Sequence, residues 1–125
     1  MKKIVFTDKA PVPAGAYSQA VECNGTLYIA GQVAIDPETG RVIEGGIKEQ
    51  TLRVMKNIGA ILEAAGYSFG DVVKSTCLLS DIADFQKMNE IYASFYHENP
   101  PARAAYAVKA LPLGALIEIE TIVAR

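Results

Sequence analysis

The chain has 125 residues, half of them hydrophobic and 21% charged, with a net charge of −2. That length makes one domain, residues 1–125, with a real core. The slight acidity argues against nucleic-acid binding, which rests on a positive patch, and the apolar runs break well before the ~18 residues of a membrane span. Met1-Lys-Lys-Ile has a basic start but no apolar stretch after it, so it does not read as a signal peptide. Cys23 and Cys77 stand alone, which suits buried thiols better than a disulfide. With one histidine, the chain offers no metal-ligand spacing. A cytoplasmic protein without a metal is expected.

In chain order, Ile4 to Phe6 reads as a short strand. Pro11, Pro13 and Gly15 make a loop. Tyr17 to Glu22 reads as a strand, Asn24-Gly25 as a hairpin turn, and Leu27 to Ile35 as the returning strand. Gly31 interrupts it; a glycine there marks a bulge or a close approach to the backbone. Asp36-Pro-Glu-Thr-Gly40 is a surface turn. Ile47 to Ala65 is the clearest helix, with Ile47, Thr51, Val54, Met55, Ile58, Ile61, Leu62 and Ala65 on one stripe and Gly66 as its stop. Asp71 to Leu79 is a strand. Ser80 or Asp81 caps a second helix running to about Tyr96, with Phe85, Met88, Tyr92 and Phe95 on its apolar side and Asn89 beside them. Pro100-Pro101 closes that helix.

The last quarter reads as two strands joined at Pro112-Leu113-Gly114. Arg103 opens the first among alanines. Glu118 and Glu120 alternate with isoleucines on the second, so both share a face. Charges in so apolar a segment need partners, because unpaired burial costs several kcal/mol. In a simple hairpin, Arg103 lies about ten residues before the turn and Glu118 about four after it. The offset is about six residues, or ~20 Å, too far to serve one substrate within one chain.

The order ββ(β)αβαββ implies an α+β domain, a mixed sheet of about six strands with two helices on one face. The other face is also apolar or small, as in Ala104, Tyr106 and Val108, and such a face calls for a further subunit.

Pro101-Ala-Arg-Ala-Ala-Tyr-Ala-Val-Lys-Ala-Leu, followed by Ile117-Glu-Ile, resembles the signature of the Rid family (YjgF-type imine deaminases), and within it the archetypal RidA group. Gly15-Ala-Tyr-Ser-Gln-Ala, Ile29-Ala-Gly-Gln-Val and Asp84-Phe-Gln-Lys-Met-Asn resemble its other blocks. The resemblance spans essentially the whole chain. It implies a chorismate-mutase-like fold, a homotrimer with sites between subunits, and cofactor-free hydrolysis of 2-imino acids and their enamines to 2-keto acids, a form of metabolite damage control. It also implies Arg103 on the substrate carboxylate, Glu118 on the water, Tyr17, Gly31 and Asn89 in the pocket, and the main chain at Ala105. Two positions depart: Ala30 where many members carry serine, and Ala105 where many carry cysteine. A different class of function, a regulatory protein that binds a keto acid without turnover, would use the same arginine. Some relatives are described as ribonucleases or translation inhibitors; the acidic balance makes that the weakest reading.

Overall fold

The helical stripe becomes α1, Ile47–Ala65. At its start the Glu49 carboxylate accepts from the Gly46 amide at 2.9 Å. At its end Gly66 takes φ +82°, and its N–H reaches the carbonyls of Glu63 and Leu62, the left-handed stop that glycine makes without a Cβ penalty. Of the predicted stripe, the residues from Ile47 to Leu62 are all buried, and Ala65 at its end is half-buried.

The computed structural model describes residues 1–125. Its strands are β1 Lys3–Val5, β2 Ala20–Cys23, β3 Thr26–Gln32, β4 Ile35–Asp36, β5 Arg41–Val42, β6 Val72–Leu79, β7 Ala102–Ala107 and β8 Ile117–Ala124. The second helix, α2, is Phe85–Ala93, preceded by a 3-10 turn at Ile82–Asp84. Six strands form one mixed sheet in the order β1-β2-β3-β8-β6-β7, and β4 and β5 make a separate small hairpin around the Asp36–Gly40 turn. The expected α+β class holds. No helix is long and apolar enough to cross a membrane.

The terminal hairpin does not form. β6 lies between β7 and β8, parallel to the first and antiparallel to the second. The connection through Pro112–Gly114 crosses the end of β6, where Val108 donates to the Leu79 carbonyl at 2.8 Å and Ser80 to the Leu116 carbonyl at 3.1 Å. Turn chemistry reverses a chain; it does not decide which strand sits beside which. Boundaries also move. Asp81 caps the 3-10 turn, its side chain accepting from the Ala83 amide at 2.9 Å, and α2 itself begins only at Phe85. The strand read from Tyr17 starts at Ala20, β3 stops at Gln32, and α2 ends at Ala93, three residues before Tyr96.

Both helices and the core lie on one side. A row of register partners crosses the whole sheet on that side: Val5, Ala20, Ile29, Thr121, Ser75 and Arg103. All are buried except Arg103, which closes the row at the edge strand. The opposite side carries Ile4, Tyr28, Val73 and Tyr106, each about half exposed, with Glu118 and Glu120 among them.

Candidate active site

Arg103 belongs to the helix side of the sheet. Its register partner Ser75 is fully buried, and paired residues share a face. At the edge the guanidinium meets α2: Nη1 donates to Asn89 Oδ1 at 2.6 Å. The guanidinium carbon sits 4.9 Å from the Tyr92 ring centre and 5.3 Å from that of Phe85. Phe85, Asn89 and Tyr92 follow one another at helical spacing, so one short stripe holds the cation by stacking and by one hydrogen bond. The ion pairs within the chain are Lys48–Glu90 and Arg125–Asp71; Arg103 has no carboxylate partner. Its remaining N–H donors form the fork that suits a carboxylate. Beside it a concavity of about 380 Å³ is lined by Asn89, Tyr92, Tyr96, Pro100 and Pro101.

Ala105 follows on the same face, half-buried, opposite Cys77. Burial pushes the Cys77 thiol up to about 11, against the pull of Arg103. The thiol stays neutral, as the reading of a core cysteine requires. β7 is the sheet edge, so one side of its main chain, at Ala105 included, has no strand beside it.

Glu118 lies on the other face. Its register partner is Leu78, three residues along β6 from Ser75. Two strand spacings and three residue rises separate Glu118 from Arg103, roughly 14 Å between Cα atoms. The sheet itself stands between the side chains. The predicted separation within one chain therefore holds for a different reason, opposite faces rather than hairpin offset.

Gly31 explains how Glu118 is seated. The β3–β8 register slips between Ile29 and Gln32, leaving Ala30 and Gly31 together opposite one residue, a bulge. The Glu118 carboxylate lies over Gly31. A Cβ added there would overlap Oε2 and stand 2.9 Å from Cδ. Both halves of the sequence reading were correct: there is a bulge, and what approaches the backbone is Glu118. Burial raises the pKa of Glu118, and the charge of Glu120 on the same face adds to this. The carboxyl holds its proton above the usual carboxylate range.

Tyr17 sits in a loop, not in a strand. Its hydroxyl accepts from the Ala14 amide at 3.3 Å. The loop is pinned by a residue that sequence reasoning missed. Gln19, 2% exposed, accepts from Thr7 N at 2.7 Å and donates to the carbonyls of Thr7 and Pro11, both at 2.9 Å. Its own carbonyl accepts from the Ala30 amide at 2.9 Å, tying the loop to the bulge. Asn57 of α1 does the same for the chain after β3, donating to Ile35 O at 2.9 Å and Val33 O at 3.3 Å. Buried Gln and Asn that satisfy loop carbonyls are the signal that could have been sought. These anchors leave a concavity of about 520 Å³ where Tyr17, Ala30, Gly31 and Glu118 meet Val33 and Leu113.

The predicted residues thus fall into two groups. Arg103, Asn89 and Ala105 gather at the β7 edge; Tyr17, Ala30, Gly31 and Glu118 gather on the open face.

Comparison with known proteins gives the family. The family model described as Endoribonuclease L-PSP matches residues 7–125. A RutC family protein of Pyrococcus horikoshii is 55% identical over 122 residues, 98% of this chain and 97% of that protein. A Rattus norvegicus protein named 2-iminobutanoate/2-iminopropanoate deaminase is 51% identical over 98% of this chain and 89% of its own. The crystal structure of RidA from an Antarctic Psychrobacter superposes with a TM-score of 0.95 at 48% identity, covering 98% of this chain and 99% of that one. With the arginine, the glutamate and the glycine beneath it all accounted for in the fold, the chain belongs to the Rid (YjgF-type) family.

Proposed function

We propose that this protein hydrolyses 2-imino acids and their enamine tautomers, such as 2-iminopropanoate and 2-iminobutanoate, to 2-keto acids and ammonia without a cofactor, at sites that neighbouring subunits of a homotrimer build together. Arg103 of one subunit takes the substrate carboxylate. Glu118 and Tyr17 of the next supply the water and the wall. The observation that carries this reading is the division of the site: a guanidinium with free donors at one edge and a half-buried carboxyl on the opposite face. The mammalian relatives' name supplies the reaction class.

The steps balance without further reagents. A fork of N–H donors fixes the carboxylate and with it the imine carbon, turning an encounter into a positioned reaction. Water adds its oxygen to that carbon while Glu118 accepts its proton. That proton passes to the nitrogen and leaves a carbinolamine; the hydroxyl proton then passes through Glu118 to the same nitrogen, the C–N bond breaks as the keto C=O forms, and ammonia leaves. Assembly has its own driving force. Covering Ile4, Tyr28 and Tyr106 removes large apolar side chains from water, and full burial of such a side chain is worth roughly 1.5–3 kcal/mol.

The test generates the imine in place with an amino-acid oxidase and traps it with semicarbazide. Added protein is expected to lower semicarbazone formation, and Arg103→Ala to lower that effect about 10²–10³-fold at unchanged circular dichroism, since each charge-assisted hydrogen bond is worth roughly 1.5–3 kcal/mol. A variant as active as the parent would remove the arginine from the mechanism. Calorimetric binding of 2-ketobutyrate through Arg103 with no turnover of any imine would establish the regulatory alternative instead.

A further inference from the structure

Leu113 is the most exposed large apolar side chain after Met1, at 70%, and its backbone lies in the left-handed region at φ 60°, ψ 23°. Three non-glycine residues have positive φ; the other two, Asn24 and Asn99, are of the type that tolerates it. Leucine gains nothing there from the backbone, and little from burial within the chain. Gly114 follows it, also left-handed at φ 65°, so the turn bends twice to present this side chain. Pro112 opens the turn, and the Ala115 amide closes it on the Pro112 carbonyl at 3.1 Å. Strain of this kind persists where the surroundings impose it and collects at ligand sites.

Leu113 lines the same concavity as Glu118 and Tyr17, with Val33, Ile35 and Ala30 completing its apolar side. A 2-imino acid has three substituents to place around its reacting carbon. The carboxylate goes to the arginine and the nitrogen to Glu118. The side chain is left for the apolar wall.

We infer that Leu113 is a specificity-determining residue that contacts the substrate side chain in the Glu118 concavity and favours imines whose aliphatic side chain is longer than a methyl group. The inference rests on the deaminase reading above. Pro112 and Gly114 hold the turn, so the side chain at position 113 can be exchanged while its backbone stays in place.

The experiment compares kcat/KM for the imine made from leucine with that for the imine made from alanine, in the parent and in Leu113→Gly, Leu113→Lys and Leu113→Met. Glycine relaxes the backbone and removes the contact; lysine keeps length but brings charge; methionine keeps an apolar contact. The leucine-to-alanine ratio is expected to fall about tenfold in the glycine and lysine variants, the low end of what one methylene contact discriminates, and to return within about twofold of the parent in the methionine variant. Ratios unchanged in the glycine and lysine variants, with both imines still hydrolysed, overturn the role of Leu113 and leave the deaminase reading standing. A parent protein inert toward both imines overturns the two together.

Discussion

The two halves of the proposed site are built by different means. The Arg103 half is built by addition: α2 contributes Asn89 at 2.6 Å and two aromatic rings, and the cation is held where it stands. The Glu118 half is built by omission. A glycine in a bulge leaves room for a carboxylate, and loops pinned by Gln19 and Asn57 wall it in. The lesson is that a short polar contact and a missing Cβ can be equally strict ways to fix a charge. They fail differently when altered.

The largest effect is expected from separating the halves. Arg103→Ala and Glu118→Gln subunits should each be nearly inactive alone. Dissociated, mixed equally and reassembled, they should recover about a quarter of the parent rate, because a closed ring pairs an intact arginine with an intact glutamate at one interface in four. No recovery in the mixture would place both groups in one subunit's site. Gly31→Ala should follow, costing about 100-fold in kcat/KM, since the new Cβ must displace the carboxylate by about an ångström. A crystal structure of that variant with Glu118 unmoved and full activity would refute the reading by omission.

Asn89→Ala attacks the other half more gently. The rings remain and only the hydrogen bond to the guanidinium is lost, so KM should rise slightly more than about tenfold, the low end of one hydrogen bond to a charged group, with kcat little changed. A fall in kcat alone would show that Asn89 acts on the reacting atoms instead.

The smallest effect concerns pH. Glu118 must be ionised to take a proton from water, and burial followed by the charge of Glu120 raises its pKa. Activity should therefore fall on the acid side at a pH above the ordinary carboxylate range. Glu120→Gln should move that limb downward, because it removes the repulsion and leaves the burial. An unmoved limb would assign it to another group.

Much of this was legible in the residues. The stripe of α1 announced itself because seven buried positions recur at one period, and Gly31 announced a close approach. Arg103 and Glu118 stood out as charges in apolar strands. The pairing of the last two strands was not legible. Pro112-Leu113-Gly114 fits a turn in either topology, and the chain from Val108 to Leu116 is long enough to cross the end of β6. Tyr17 reads as strand because no glycine or proline separates it from Ala20; the loop is fixed by Gln19, whose four bonds reach backbone atoms 8 to 12 residues away. Long-range satisfaction of carbonyls leaves no local period to find.

Placing Arg103 and Glu118 on opposite faces of one sheet has a consequence for the newly folded chain. Had they been neighbours, they would have neutralised each other at once, and a substrate acid would have had to compete with a permanent internal ion pair. Partitioned by the sheet, neither can be quenched by the other within its own subunit. The charge of the guanidinium is left for whatever small anion arrives beside it.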